Sequence, residues 1–398
     1  MKPTRGLRKL FVHPAIRDYR SAIFHKLGEA GFHFLFSFIN PPGTHAGENT
    51  RLELERFPYP YFQARELRAH VHNLSFDLVR VLNYDLVIFS CLTSVPFLLL
   101  AAPLKLLGKR VLLFDETWRY QYEVPRYRRL LPAVRFLVRR CVDAFVPAGS
   151  SAAAMFENDF GIDRSKIFVA YNTTLDLLAV RVPAEVGQEI DARISAVARG
   201  RTVILYLARL VRYKGLDVLI TALAALPDEA CLLVVGSGPF QEECETLAAS
   251  LGLTDRIHFL GDCRTEDVTA YYRAADIFVL PSRFVLNEPV NCESWGFTVN
   301  EAMSLGIPVV ATDAVGAAHD LIRDGETGML AQENDPASLA AKLRYLLDDP
   351  ARRREIGAKG RDRLRERCSY DQNAEAFLEA VRHACHDREE QPIRTGSR

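Results

Sequence analysis

The sequence predicts an α/β protein made of two doubly wound halves, and three stretches carry that expectation. Residues 291–312, NCESWGFTVNEAMSLGIPVVAT, read as loop, helix, glycine stop and buried parallel strand, with Val299, Ala302, Met303 and Leu305 on the apolar helix face. Residues 10–13, 19–30 and 32–38 read as strand, helix and strand, the β-α-β opening of a doubly wound domain. From Val203 a second series of short apolar runs alternates with helical patterns. A length of 398 residues leaves room for two or three domains with cores of their own, and a hydrophobic share of 48% fits a soluble globular chain.

Taken in order, the first half continues with a mobile, polar, Gly/Pro-rich loop over 43–61 and a helix over 64–82. A strand at 85–90, a helix at 96–107 and a strand at 111–114 follow. Residues 125–141 are basic and amphipathic, with Arg126, Arg128, Arg129, Arg135, Arg139 and Arg140 beside Leu130, Leu131, Val134, Phe136, Leu137 and Val138. Such a segment is either a helix lying on an anionic membrane surface or a domain helix with solvated arginines. A strand at 144–147 leads to the Gly149-Ser150-Ser151 turn, and 167–171 is read as the last strand of this half. Residues 177–200 read as linker and helix. Strands of the second half are expected at 203–208, 231–235, 257–260, 277–280 and 309–311. Asp335 and Pro336 suit the N-cap and first position of a helix over 336–347, and a helix over 350–367 begins with proline in the same way. The expected division is a first domain over 1–180, a second over 200–368, a C-terminal helix over 369–386 and a disordered tail over 387–398.

Formal net charge is zero, but residues 1–182 hold 25 Lys+Arg against 16 Asp+Glu, a net of +9, and the remainder holds 50 − 25 = 25 against 50 − 16 = 34, a net of −9. That polarity either marks an anionic partner of the first half or is accidental. The eight cysteines are scattered, with no CxxC pair and no zinc spacing, and read as reduced core thiols. The N-terminus lacks a secretory h-region, and the most apolar run, 96–107, is too short to span a bilayer. A cytoplasmic protein is therefore expected.

Two strand-loop-helix junctions carry the chemistry. Arg209 and Lys214, in Leu207-Ala-Arg-Leu-Val-Arg-Tyr-Lys-Gly215, follow one strand and precede a helix; the first can grip a phosphate with two parallel donors and the second adds a compact charge. Both cations are expected to be exposed. Glu293 lies in the loop before the second helix and Glu301 within its first two turns, while Gly296, Phe297 and Thr298 offer backbone N–H groups to an anion at the helix start. Trp295 is read as core. At the carboxyl edge of the first half, Arg17 and Arg20 are either acceptor or phosphate contacts or loop-capping surface arginines. No Asp-x-Asp occurs in the chain, so a metal bridging a diphosphate has no support from sequence.

The run from Glu293 to Val310, with Gly296, Ala302, Gly306 and Pro308 in register, resembles the retaining glycosyltransferases of the GT-B fold, family 4-like (glycosyl transferases group 1). It is most similar to the subgroup with Trp-Gly after the first glutamate and Asn-Glu-Ala at the second. The Arg209…Lys214-Gly215 spacing and Gly236-Ser-Gly238-Pro239 match the same family. The resemblance is strong over about residues 200–350 and weak over the first half. It implies two Rossmann-like domains facing across a cleft, with the C-terminal helix crossing back to the first. It implies that Arg209 and Lys214 hold the diphosphate, Glu301 the ribose hydroxyls and Glu293 the donor sugar. Backbone atoms at Cys263 would meet the base. Many relatives carry His-Asp near the end of the 111–114 strand, and here Asp115 or Glu116 would stand in. The 283–291 loop is longer than in many relatives and would shape sugar choice.

The implied activity is retaining transfer of a sugar from a UDP- or GDP-type nucleotide sugar to a hydroxyl of a glycan or lipid-linked acceptor, as in polysaccharide or glycoconjugate synthesis. No cofactor and no metal would be needed, no nucleic acid is expected as a partner, and peripheral contact with the inner membrane face is. The alternatives are a same-fold nucleotide-sugar epimerase or phosphorylase, or a non-catalytic scaffold; the intact Arg209, Lys214, Glu293 and Glu301 argue against the last.

Overall fold

The computed structural model describes residues 6–14, 18–36, 54–63, 76–118, 131–285 and 292–386. The chain divides into two compact units, Met1–Thr173 with Ser369–Arg398, and Thr174–Cys368. Arg17, residues 119–130 with the 125–130 start of the basic segment, the 286–291 part of the long loop and the 387–398 tail lie outside the described residues.

In the first unit the elements run β1 (Lys9–His13), α1 (Asp18–Glu29), β2 (Phe32–Phe36), β3 (Tyr61–Gln63), β4 (Leu86–Ser90), α2 (Val95–Leu106), β5 (Arg110–Asp115), α3 (Leu131–Cys141), β6 (Ala144–Pro147) and α4 (Ser150–Ala154). The sheet order is β3-β2-β1-β4-β5-β6 and every pairing is parallel. Strand order therefore reverses between β1 and β4, which puts the ligand-accessible crevice of such a sheet at their carboxyl ends. Strands such as Leu86–Ser90 are buried on both faces, which is why they read as unbroken apolar runs.

Three departures from the sequence expectations lie here. Residues 54–61 do not all belong to a mobile loop: Leu54 and Phe57 are core, Phe57 packs edge-on against Phe34, and Tyr61 begins the edge strand β3. With Tyr59 against the Phe57 ring, four aromatic or aliphatic residues within eight positions outweigh the turn signals of Pro58 and Pro60. Of the helix expected over 64–82, residues 64–75 lie outside the described part and Phe76–Asn83 form a 3-10 helix. At 167–171 there is a single bridge, Phe145 to Ile167, rather than a full strand.

The second unit runs α5 (Ala184–Ala198), β7 (Thr202–Leu207), α6 (Leu216–Leu223), β8 (Ala230–Val235), α7 (Gln241–Ser250), β9 (Ile257–Gly261), α8 (Val268–Arg273), β10 (Ile277–Leu280), α9 (Phe297–Ser304), β11 (Val309–Thr312), α10 (Gly316–Leu321), β12 (Met329–Ala331), α11 (Pro336–Leu347) and α12 (Pro350–Arg367). Its sheet, β12-β11-β10-β7-β8-β9, is again parallel and switches direction at β7 and β10. The edge strand β12 is three residues long, too short to leave a periodic signal. Asp335 and Asp349 cap α11 and α12, each accepting two backbone N–H groups, with proline at the first helical position.

The last helix, α13 (Tyr370–His386), belongs to the first unit. Ala376, Phe377, Ala380, Val381 and Ala384 join the core cluster that covers one face of that sheet, and the Phe377 ring lies 5.5 Å from Phe11 and 5.4 Å from Phe114. Asn373 Nδ2 donates to the carbonyl of Tyr171 at 2.7 Å, tying the helix to the end of the preceding first-unit segment.

Candidate functional site

Arg209, Lys214, Gly236, Cys263 and Glu293 all follow carboxyl ends of strands in the second sheet, and the reversal at β7 and β10 places Arg209, Lys214 and Glu293 at the switch point. The loop after β7 is shaped by its backbone. Leu210 N donates to Ser237 O at 2.8 Å, a short 3-10 turn spans Arg212–Lys214, and Gly215 stops it at φ +69°. A Cβ at Gly215 would lie 1.9 Å from the Pro281 carbonyl oxygen, so only glycine allows this loop to touch the end of β10. Close contact with β10 brings Lys214 to the second junction.

The segment before α9 is clamped from the other side. Glu293 pairs with Val315 as an isolated parallel bridge, Ala317 N donates to Trp295 O at 2.8 Å, and a Cβ on Gly316 would lie 2.0 Å from Ser294 O. The Trp295 side chain is core, as expected, and its Nε1 donates to Asn300 Oδ1 at 3.0 Å. Gly296 opens α9 at φ +96°, where a Cβ would lie 2.9 Å from both Leu280 and Val315 side chains. Phe297 and Thr298 then stand half-buried at the helix start. The Thr298 hydroxyl is buried without a partner among the described residues, so a polar ligand atom at the helix start would find a donor there.

Into this frame the structure sets two carboxylates with different partners. Glu293 forms an ion pair with the Lys214 ammonium, the two side chains being only 14% and 11% exposed. Lys214 is thus not the freely exposed cation that the sequence suggested; the loop contact at Pro281 turns it toward Glu293. Arg209 is exposed, as expected, and its Nη2 donates to the Tyr213 hydroxyl at 3.1 Å. Glu301 is half-buried and accepts from the Tyr272 hydroxyl at 2.8 Å. Burial holds the Glu301 carboxyl above its ordinary range, against the opposing pull of Tyr272 and Lys214.

The remaining strand ends close the site. Gly236 N donates to Gly261 O at 2.8 Å, Ser237 Oγ donates to Asp262 Oδ2 at 2.6 Å, and a Cβ on Gly236 would sit 2.1 Å from Ala208 O. Cys263 is half-buried after β9, and burial pushes its thiol up to about 11, so it stands as a neutral group beside the backbone. Tyr272 and Arg283 were not singled out from sequence. Arg283 donates to Asp217 at 2.8 Å, to Asn334 at 2.9 Å and to the Arg212 carbonyl at 3.2 Å, bracing the start of the long loop against the Arg212–Lys214 turn. The sequence signal for Tyr272 was weak: a second tyrosine on the short helix before β10.

In the first unit, Arg20 is 9% exposed. Its guanidinium pairs with Glu116, lies 3.4 Å from His13 Nε2 and stacks over the Phe114 ring at 5.1 Å. Glu116 also accepts from Asn172 Nδ2. Asp115, 1% exposed, accepts from Leu92 N at 2.6 Å, from Thr117 N at 2.7 Å and from the Thr117 hydroxyl, and burial pushes its carboxyl up to about 6. The cation, the two carboxylates, His13 and Asn172 thus gather at the carboxyl edge near β1 and β5, with Asp115 spent on holding the backbone after β4 and β5.

Residues 187–363, which contain all of the second-unit site, match the family described as glycosyl transferases group 1. Among curated proteins, the chain is 28% identical over 259 residues to a GDP-mannose-dependent alpha-(1-6)-phosphatidylinositol monomannoside mannosyltransferase of Mycobacterium tuberculosis (strain CDC 1551 / Oshkosh), covering 64% of this chain and 66% of that protein. It is 32% identical over 266 residues to a D-inositol 3-phosphate glycosyltransferase of Thermomonospora curvata, covering 62% and 59%. The chain thus spans a little under two thirds of these relatives. Among solved structures, Anabaena Alr3699/HepE in complex with UDP superposes with a TM-score of 0.73 at 19% identity, over 94% of this chain and 100% of that one. WaaG, a glycosyltransferase involved in lipopolysaccharide biosynthesis, gives 0.62 at 17% identity, over 93% and 99%. The fold is GT-B, with two six-stranded parallel sheets.

Proposed function

We infer, for a chain whose residues 187–363 belong to the glycosyl transferases group 1 family, that it transfers a sugar from a nucleoside-diphosphate sugar to a hydroxyl acceptor with retention at the anomeric carbon. The observation that carries this reading is the convergence of Arg209, Lys214, Glu293 and the start of α9 at the switch point of the second sheet. The departing nucleoside diphosphate gains negative charge as the glycosidic bond breaks. Preplaced cations and bare helix N–H groups stabilise that charge most in the transition state. Arg209 is the exposed fork for a phosphate. Lys214 bridges phosphate and Glu293, and Glu293 holds the sugar. Glu301, already oriented by Tyr272, accepts from the ribose hydroxyls, and backbone atoms at Cys263 meet the base. These groups need no metal to meet the diphosphate.

The donor is of UDP or GDP type. Anabaena Alr3699/HepE is solved with UDP and the mycobacterial relative is named for GDP-mannose, so both bases have precedent in similar proteins. The acceptor is a glycan or lipid-linked hydroxyl met by the first unit, near Arg20 and Glu116. Membrane contact is supported by Leu99, Leu106, Leu107 and Phe136, which are 53%, 89%, 59% and 63% exposed on or beside α2 and α3, next to the exposed Arg135, Arg139 and Arg140. Described residues contain no helix long and apolar enough to cross a membrane.

The test is donor turnover with UDP- and GDP-sugars in excess chelator, with and without a hydroxyl acceptor, and analysis of the product anomer. Acceptor-dependent transfer with retention in chelator is expected. Free nucleotide with epimerised sugar and no acceptor product would show an epimerase instead, and activity only on adding magnesium or manganese would refute the metal-free reading.

A further inference from the structure

Within the second unit, a cavity of about 420 Å³ has Arg273, Arg353 and Arg354 in its wall, with Asp276, Leu178 and Gly306 beside them. Asp276 and Gly306 precede β10 and β11, so the cavity lies at the amino edge of the parallel sheet, opposite the edge that carries Arg209 and Glu293. It is separate from the donor site.

The charges in this wall are not balanced. Asp276 accepts from Val203 N through one oxygen at 2.9 Å and from Arg353 Nη2 through the other at 3.2 Å. Arg353 Nη1 is buried and has no partner among the described residues. Arg354 is exposed, and Arg273 donates one nitrogen to the Val180 carbonyl at 3.1 Å. A fourth guanidinium, Arg361, lies behind Gly306, 3.7 Å from where a Cβ would be, and its Nε is likewise buried without a partner among the described residues. Pro350, at the first position of α12, also borders the wall, but the start of that helix is already met by the Asp349 carboxylate, which accepts from Ala351 N and Arg352 N, so the positive charge of the wall comes from the guanidiniums. The carbonyl ends of the short helices α8 and α9 act in the opposite sense, but Arg273 is the last residue of α8 and offsets its end. Several guanidiniums against one carboxylate leave a strongly positive cavity, and a buried guanidinium N–H without an acceptor is costly unless an acceptor arrives.

We propose that this cavity binds the phosphate group of a small anion, free or esterified. Guanidinium forks match a phosphate's oxygens bidentately, and a dianion suits the excess of positive charge. The volume falls within the range of small-molecule sites, and Leu178 supplies an apolar wall for the body of an ester.

The test is calorimetric titration of inorganic phosphate and of glucose 6-phosphate into the full chain at constant ionic strength. It is run in an Arg209→Ala background so that the donor site contributes little. Saturable binding is expected, weakened at least about tenfold, or about 1.4 kcal/mol, by adding Arg354→Gln or Arg353→Gln. Arg353 also braces Asp276, so its variant is checked by denaturation; the exposed Arg354 decides the outcome if that variant does not fold. Tighter binding of the sugar phosphate identifies an esterified ligand, and equal or tighter binding of the free ion identifies phosphate itself. Absence of saturable binding of either probe, or unchanged affinity in Arg354→Gln, overturns the proposal.

Discussion

Lys214→Ala separates the two things that the Lys214–Glu293 pair does. With side chains 11% and 14% exposed, the pair lies between an exposed ion pair and a buried one. Exposed pairs contribute about 0–1 kcal/mol, and breaking buried ones costs about 3–5 kcal/mol. Removing the cation from beside Glu293 should therefore cost about 1–3 kcal/mol of stability, read as a shift in the denaturant midpoint. Turnover should fall at least about tenfold, or about 1.4 kcal/mol, because charge stabilisation of the leaving diphosphate is lost. Adding Glu293→Gln to Lys214→Ala removes the carboxylate charge as well. Stability should then recover most of what was lost, while turnover stays low. Wild-type turnover in Lys214→Ala would refute the phosphate role outright. Recovery of turnover together with stability in the double variant would show that Lys214→Ala acts only through the unpaired Glu293 charge, and would refute the phosphate role of Lys214.

Tyr272→Phe removes the hydrogen bond to Glu301 and lets burial raise that carboxyl further, so nucleoside-diphosphate affinity should fall by about 0.5–1.5 kcal/mol, most clearly at the acid end of the range; equal affinities from pH 5 to 8 would leave Tyr272 without a role in the site. Asp115 has a folded carboxyl raised to about 6 from an ordinary 3.8, so its protonated form favours the fold: its contribution is full below about pH 4 and is lost as pH rises through about 6. At about 1.4 kcal/mol per pH unit that amounts to about 3 kcal/mol, and Asp115→Asn should flatten the stability profile over this window; parallel profiles for the two proteins would refute it. Flotation with anionic vesicles at low salt should carry the protein upward, and salt should release it as the Debye length shortens; protein left at the bottom with both anionic and neutral vesicles would rule out membrane contact through α2 and α3.

What could be read from the sequence follows from how far apart in the chain the deciding contacts lie. A parallel strand buried on both faces is an unbroken apolar run, so Ala230–Val235 or Ile277–Leu280 declares itself locally. The junctions after β7 and before α9 are equally local, since glycine, the following helix and the polar residues between them fall within a dozen positions. The Lys214–Glu293 pair does not, because its partners are 79 residues apart and meet only where Gly215 lets the first loop touch Pro281. The same limit hid Tyr272, whose hydroxyl reaches Glu301 across 29 residues, and it hid the Arg20–Glu116–Asn172 group, whose members come from three separate elements. In both units a glycine or a buried carboxylate fixes the backbone first, and the charged side chain is then turned by a neighbour that sequence order does not reveal. An exposed lysine and a half-buried one in an ion pair have the same local sequence. They differ in what a substitution does to the fold, and for that reason stability and turnover have to be measured on the same variants.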